Sequence, residues 1–393
     1  MKDLIMMAVT THPALHELSS RSKAFSEMTG FSNYIPDPIV KSHYFVRPIE
    51  TRNGPHQSNI MLSQSIPWPS FVSSKQEQAQ LKGEILRHRY AAKKIELSFQ
   101  VRSTVLTLIA LNAEKNIISN LLHSLAGFRE IVVSRIEVGR ASQTDAAKIN
   151  IEIASLREKI LALNLEQQRA NHKLAELTGK TITEISIPRH FPPSYLVPRN
   201  MNHIENTLIE HPIYKEALAT TTYQGSLRKE ERSKTLPKIA VSLSWMNIEK
   251  PDNPSMADEQ GKDASSVGLS ISVPLWSSLS GRTRREDHLV NAKQMDSQRI
   301  ALSLKRQTAN LSAQIRLADD TRSLYRLNII PNLQKALEID RSAYSQGTVS
   351  IEIVLRDYTQ VMAAKARLVK TEKRLVIANA GLKRLGFDSR GDP

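Results

Sequence analysis

A chain of 393 residues with 54 Lys and Arg against 39 Asp and Glu carries a net charge of +15, and its 40 % hydrophobic content is enough to build extensive cores. The absence of cysteine excludes disulfides and thiolate metal sites. Only 5 % of residues are aromatic and 14 are glycine, a mixture that favours long helices packed by Leu, Ile, Val and Ala over a many-stranded fold. No stretch offers the roughly 20 apolar residues of a membrane-spanning helix. Leu4 to Val9 is too short to serve as the core of a signal peptide. On these grounds alone the chain reads as a soluble protein whose basic surface would suit nucleic acid or phosphate-bearing lipid.

Residues 1–31 read as helix with a break at His12-Pro13. A parallel opening at residues 201–235 is interrupted in the same way at His211-Pro212. Residues 32–68 are expected to form a first β-hairpin: Ile60, Leu62 and Ile66 keep a strand's period, whereas Tyr34 to Val46 alternates poorly. Pro67 then opens a long helical hairpin over residues 69–180, with its tip at 138–145. Before the tip, Ile118, Leu121, Leu125, Phe128 and Val132 hold helical spacing. After it, Ile149, Ile153, Leu156, Ile160, Leu163, Gln167, Ala170, Leu174 and Leu177 step by four and three, the seam of a coiled coil, until Gly179 stops it.

Residues 181–200, with Pro188, Pro192, Pro193 and Pro198, read as a connector without regular structure. A second β-hairpin over 236–276 is clearer than the first. Ile239, Val241, Leu243 and Trp245 alternate with Ala240, Ser242 and Ser244, and Val267, Leu269, Ile271 and Val273 alternate with Gly268, Ser270 and Ser272, giving one apolar and one small polar face. Pro274 opens a second long helical hairpin over 277–387, with its tip at 346–353 and a break expected at Pro331; residues 388–393 are a tail. Its seam, Val361, Ala364, Leu368, Thr371, Leu375, Ala378, Leu382 and Leu385, has the phase of the first. Gly139 and Gly347 lie 208 residues apart, so one helical hairpin is built twice.

No Walker loop, HExxH, Gly-x-Ser-x-Gly or GxGxxG motif is present, so no catalytic or cofactor-binding residue is assigned and an enzyme is not expected. His12 and His16 are four apart, but Pro13 lies between them and no third ligand is near, so no metal site is assigned either. Few aromatics interleave the basic residues, which argues against stacking on nucleic-acid bases. The densest basic clusters flank the second hairpin: Arg228, Lys229, Arg232 and Lys234 before it, Arg282, Arg284 and Arg285 after it. Side chains there would meet lipid phosphates if the hairpin crossed a membrane. Glu230, Glu231, Glu286 and Asp287 would offset the same cations if they are ordinary charged helix ends.

Several stretches taken in order resemble the TolC-like outer-membrane efflux family. Leu62-Ser63-Gln64-Ser65-Ile66-Pro67-Trp68-Pro69 is similar to that family's entry into its first long helix, especially in the metal- and cation-efflux branch, although the usual Gly-Lys after the second proline is Ser70-Phe71 here. Val138-Gly139 with Thr144-Asp145 is similar to its first periplasmic tip. Tyr325, Pro331, Tyr344, Gly347 and Ser350 to Leu355 resemble the approach to its second tip, and Val267 to Leu275 with Gly281-Arg282 its last strand and exit.

The resemblance implies a mainly α fold with a small β part: duplicated helical hairpins forming an α-barrel, and four strands per chain contributing to a twelve-stranded barrel in a homotrimer. It implies an outer-membrane location extending into the periplasm, and a passive duct serving a periplasmic adaptor and an inner-membrane pump, with outer-membrane lipid around the strands. Docking would fall on Val138, Gly139, Arg140, Thr144, Asp145, Gly347, Thr348 and Ser350. At the periplasmic aperture, where relatives place acidic residues, this chain has Ile353 and Arg356, with Glu352 four residues back from Arg356, the spacing at which an intrahelical pair can form; paired, the ring is nearly neutral, and unpaired it favours anions. The alternative is a soluble coiled-coil scaffold that binds acidic partners. It explains the heptads but not a serine-alternating hairpin between helices. An adaptor protein would need a lipoyl-like domain of short strands, which the sequence does not show.

Overall fold

The structure, a computed structural model, describes residues 1–180, 188–196, 208–251, 261–278 and 281–387. Most of the expected connector, the start of the second-repeat helix, most of the loop of the second β-hairpin and the tail lie outside the described residues. The part of the connector that is described contains a short 3-10 turn at Pro193–Tyr195.

In chain order the main elements are α1 (Lys2–Thr11), α2 (Pro13–Glu27), β1 (Ile39–Ile49), β2 (His56–Ile66), α3 (Pro69–Glu137), α4 (Gln143–Thr178) and α5 (Pro212–Ser233). They continue with β3 (Lys238–Ile248), β4 (Ala264–Ser272), α6 (Leu275–Ser278), α7 (Arg282–Leu324), α8 (Ile330–Gln346) and α9 (Ile351–Arg384). Both expected breaks, at His12 and His211, are followed by helices whose first residue is proline, where the missing N–H costs nothing. The first hairpin starts later than its expected beginning at residue 32. Phe31–Tyr34 is a 3-10 turn, and β1 begins only after Pro36 and Pro38, neither of which can donate to a ladder.

Pro331 does not break its helix. Tyr325–Ile329 immediately before it forms a π-helical turn, whose wider ring absorbs both the lost N–H bond and the pyrrolidine clash, so α7 runs through it into α8.

The chain forms two compact units, each drawn from both repeats. One comprises Met1–Glu17, Tyr90–Pro212 and Ala301–Pro393; the other comprises Leu18–Arg89 and Ile213–Ile300. In the first, Leu4, Ala8 and Leu15 pack against Leu97, Val101, Val105 and Leu108 of α3, Leu174 and Leu177 of α4, and Val376 and Ala380 of α9. A second core joins Leu125, Phe128 and Val132 to Ile149 and Leu156 and to Tyr344, Ile351, Val354 and Tyr358. Each such Val, Leu, Ile or Phe side chain contributes on the order of 1.5–3 kcal/mol by leaving water. The heptad positions are therefore where the arms meet: Ile149, Leu156 and Leu174, and Leu375 and Leu382 on the second arm, are fully buried.

In the second unit the strands form one antiparallel sheet in the order β1-β2-β3-β4. The two hairpins join through β2 and β3, paired from Ile66↔Ile239 to Ser58↔Asn247. Trp68 fastens this junction by donating from Nε1 to the Pro237 carbonyl at 2.5 Å. Beside the sheet, α2 approaches α3 closely enough for Ser22 Oγ to donate to the Gly83 carbonyl at 3.2 Å.

Candidate functional site

Both tips close by the same device. At the first, Gly139 has φ +70° and donates to Ile136 O, while Arg140 N–H donates to Arg135 O. At the second, Gly347 has φ +82° and donates to Tyr344 O, while Thr348 N–H donates to Ala343 O. This pair of bonds satisfies carbonyls that the helix end would orphan, and it needs a left-handed residue at the glycine. The returning helix α4 then starts in a capping box, with Ser142 Oγ accepting from Thr144 N–H at 3.1 Å and the Asp145 carboxylate accepting from Ser142 N–H at 3.3 Å. Of the docking residues assigned from sequence, Val138, Gly139 and Arg140 are exposed on the turn, whereas Thr144 and Asp145 belong to the first turn of α4. Thr348 and Ser350 lie in the second turn, and Ser350 immediately precedes α9.

The fold brings the two tips together, 208 residues apart in sequence, through Arg135 and Tyr358, which the sequence did not single out, and Phe128 and Tyr344, which it did. The Arg135 guanidinium donates to the Tyr344 carbonyl and, at 3.2 Å, to the Arg140 carbonyl, and it stacks over the Tyr344 ring at 4.7 Å. Behind it Phe128 meets the rings of Tyr344 and Tyr358 at 5.4 and 5.9 Å. Burial, then the Asp145 carboxylate, push the Tyr344 phenol above its usual pKa, against the opposing charge of Arg135.

Lys148 of α4 forms an ion pair with Glu352 at the start of α9. Hydrogen bonds from Lys148 and Ser350 hold the Glu352 carboxyl down at about 2. Of the two outcomes its spacing left open, Glu352 takes the unpaired one toward Arg356, because a cation from the facing helix engages it instead. Arg356 is exposed and lies 3.5 Å from its neighbour Asp357, which is buried. Burial, followed by the Asp340 carboxylate of α8, raises the Asp357 carboxyl, and Arg356 only partly offsets this. Ile353 is half-buried on the same helix.

The sheet presents two unlike faces. Residues Val40, Leu62, Leu243 and Val267 form one cross-strand row, and Lys41, Met61, Ser244 and Ser266 form the next, on the opposite face. The apolar face lies open: Leu243 is 54 %, Val267 76 % and Leu269 66 % exposed. On the other face Ser244 and Ser266 share a hydrogen bond at 2.7 Å.

Near the base of the sheet most of the basic residues assigned to a membrane interface are occupied by carboxylates. Lys229 pairs with Glu77, Arg228 and Arg232 with Asp287, Lys234 with Glu230 and Glu231, and Arg285 with Glu286. Glu230 is buried, which raises its pKa, but the net direction is downward because Lys234, Lys75 and Gln78 all bond to it. Arg282 and Arg284 are exposed and have no ion pair among the described residues. His12 and His16 serve the backbone instead: His12 Nδ1 accepts from Ala14 N–H at 3.2 Å, and His16 Nε2 bonds to Thr10 O at 2.8 Å.

Residues 204–386 match the family model described as outer membrane efflux protein. The whole chain superposes on solved channels of that architecture. OprN, an outer-membrane channel, is 14 % identical with a TM-score of 0.80, covering 98 % of this chain and 90 % of its own. This is the fold of the solved outer-membrane channels. CusC, whose structures concern transmembrane channel formation, reaches a TM-score of 0.80 at 16 % identity, over 98 % of this chain and 92 % of CusC. The outer membrane protein VceC of Vibrio cholerae reaches 0.78 at 14 % identity, over 98 % of this chain and 96 % of VceC. No curated protein sequence matches the chain.

Proposed function

We propose that the chain is the outer-membrane channel subunit of a tripartite export system, in which three copies form a passive duct. One observation carries the reading: a four-stranded sheet with an exposed apolar face ends in unpaired edges at β1 and β4. Four strands cannot close on themselves, and an open edge cannot remain unsatisfied in hydrocarbon. Three copies joined β1 to β4 give twelve strands with no edge. The strand lengths, 11, 11, 11 and 9 residues, suit a tilted crossing of a bilayer. The same face argues against the soluble scaffold, because a soluble monomer rarely exposes so continuous an apolar patch.

The outer-membrane location, the periplasmic extension and the match over residues 204–386 belong to the same reading. In it the tips at Gly139 and Gly347 dock a periplasmic adaptor and the inner-membrane pump, with Ile353 and Arg356 facing the aperture. Arg282 and Arg284 remain for lipid phosphates. The pump supplies the energy, and no residue of this chain is assigned a catalytic role. Light scattering of detergent-purified protein should give a protein mass of about three chains. A stable monomer in detergent-free buffer would refute the proposal and return the scaffold reading.

A further inference from the structure

The four strands contain no Asp or Glu. Carboxylates begin only beyond their ends, at Asp37, Glu50, Glu249 and Asp263, and two of these are already engaged: Glu249 accepts from Gln57 at 2.8 Å, and Asp263 from Ile248 N–H at 3.1 Å. The strands carry three fixed cations, of which Arg47 lies in the stretch of β1 between Tyr44 and Ile49 where the register shifts; the two in regular register are Lys41 and Lys238. The register puts both on the serine face. Lys41 shares its row with Ser244 and Ser266, and Lys238 pairs with Ser272, while the apolar residues Ile239 and Val40 next to them point the other way. Both lysines are exposed and have no ion pair among the described residues. Lys41 stands level with Ser244, six residues along β3 from Lys238, or roughly 20 Å at about 3.3 Å per residue.

We infer that the barrel passes anionic cargo in preference to cations, and that Lys41 and Lys238 set this preference. The inference rests on the channel reading, which turns the apolar face to lipid and the serine face to the lumen. Threefold symmetry then makes each lysine a ring of three ammonium groups. Between low-dielectric walls such rings focus a positive potential on the path, and with no carboxylate on the strands nothing on that wall cancels it. Serine hydroxyls supply neutral donors that solvate an anion without binding it tightly. The matching cargo class is small compounds bearing carboxylate or phosphate groups, whereas free metal cations would meet a barrier.

The test is the reversal potential of purified trimers in planar bilayers under a tenfold KCl gradient. The wild-type channel should select chloride, Lys41→Gln/Lys238→Gln should shift the reversal potential toward zero, and Lys41→Glu/Lys238→Glu should shift it further in the cation-selective direction. Both lysines are exposed, so the variants should assemble, and trimer mass checks this in the same samples. A conducting trimer that prefers potassium, or one whose reversal potential ignores the double reversal, overturns the anion inference and leaves the channel reading intact. Trimers that insert but pass no current overturn both.

Discussion

Arg135 is the most informative side chain at the tips, because it leaves α3 of the first hairpin and bonds to α8 of the second. Replacing it with alanine removes a charged donor from the Tyr344 carbonyl, a weaker exposed bond to Arg140, and the stacking over the Tyr344 ring at 4.7 Å. A charge-assisted hydrogen bond is worth about 1.5–3 kcal/mol and an exposed cation–π contact about 0.5–1. Water can replace part of this once the side chain is gone, so a net loss of about 2 kcal/mol is expected, roughly 30-fold in a local opening equilibrium. The assay is hydrogen exchange by mass spectrometry on assembled protein, following peptides over residues 130–145 and 340–356. Arg135→Ala should accelerate exchange in both peptides although the mutation lies in one. Arg135→Lys should recover only part of the protection, since an ammonium neither stacks on the ring nor bonds two carbonyls in a plane. Unchanged exchange around Tyr344 would refute the idea that this contact couples the hairpins.

Two further outcomes follow from the same region. Gly139→Val should leave trimers intact but loosen the first tip by about 1–2 kcal/mol and abolish export in cells. The strain there is purely conformational, since a Cβ would meet nothing within 4 Å at φ +70°; normal export by the assembled variant would remove the tip from the docking site. Asp357 has a raised carboxyl, so its contribution to folding is full below its unfolded value of 3.8 and is lost as pH rises through the folded one. Wild-type protection of α8 and α9 should therefore weaken as pH rises above about 4, whereas Asp357→Asn should remove this dependence; an identical pH profile in the variant would exclude Asp357 as its source.

The periodic features were legible in the sequence because they are properties of neighbours along one chain. The heptad seams, the glycines ending each arm, the period-two strands and the 208-residue repeat need only the helical or pleated geometry of their own segment. Pro331 shows where that logic stops, since a proline forbids an ordinary helical bond but says nothing of the π turn at Tyr325–Ile329 that accommodates it. Glu352 shows the same limit for charge. Spacing along the helix proposes Arg356, while the facing helix supplies Lys148, and only the packing of α4 on α9 decides between them. The basic residues flanking the second hairpin repeat the lesson, because Glu77 and Asp287 reach them across helices. Local sequence determined the elements and their faces, since backbone geometry converts spacing directly into direction. The tertiary structure decided which charges meet, because Coulomb and hydrogen-bond partners are chosen by distances of a few Å in space, and residues 208 apart carry no record of that distance in their order.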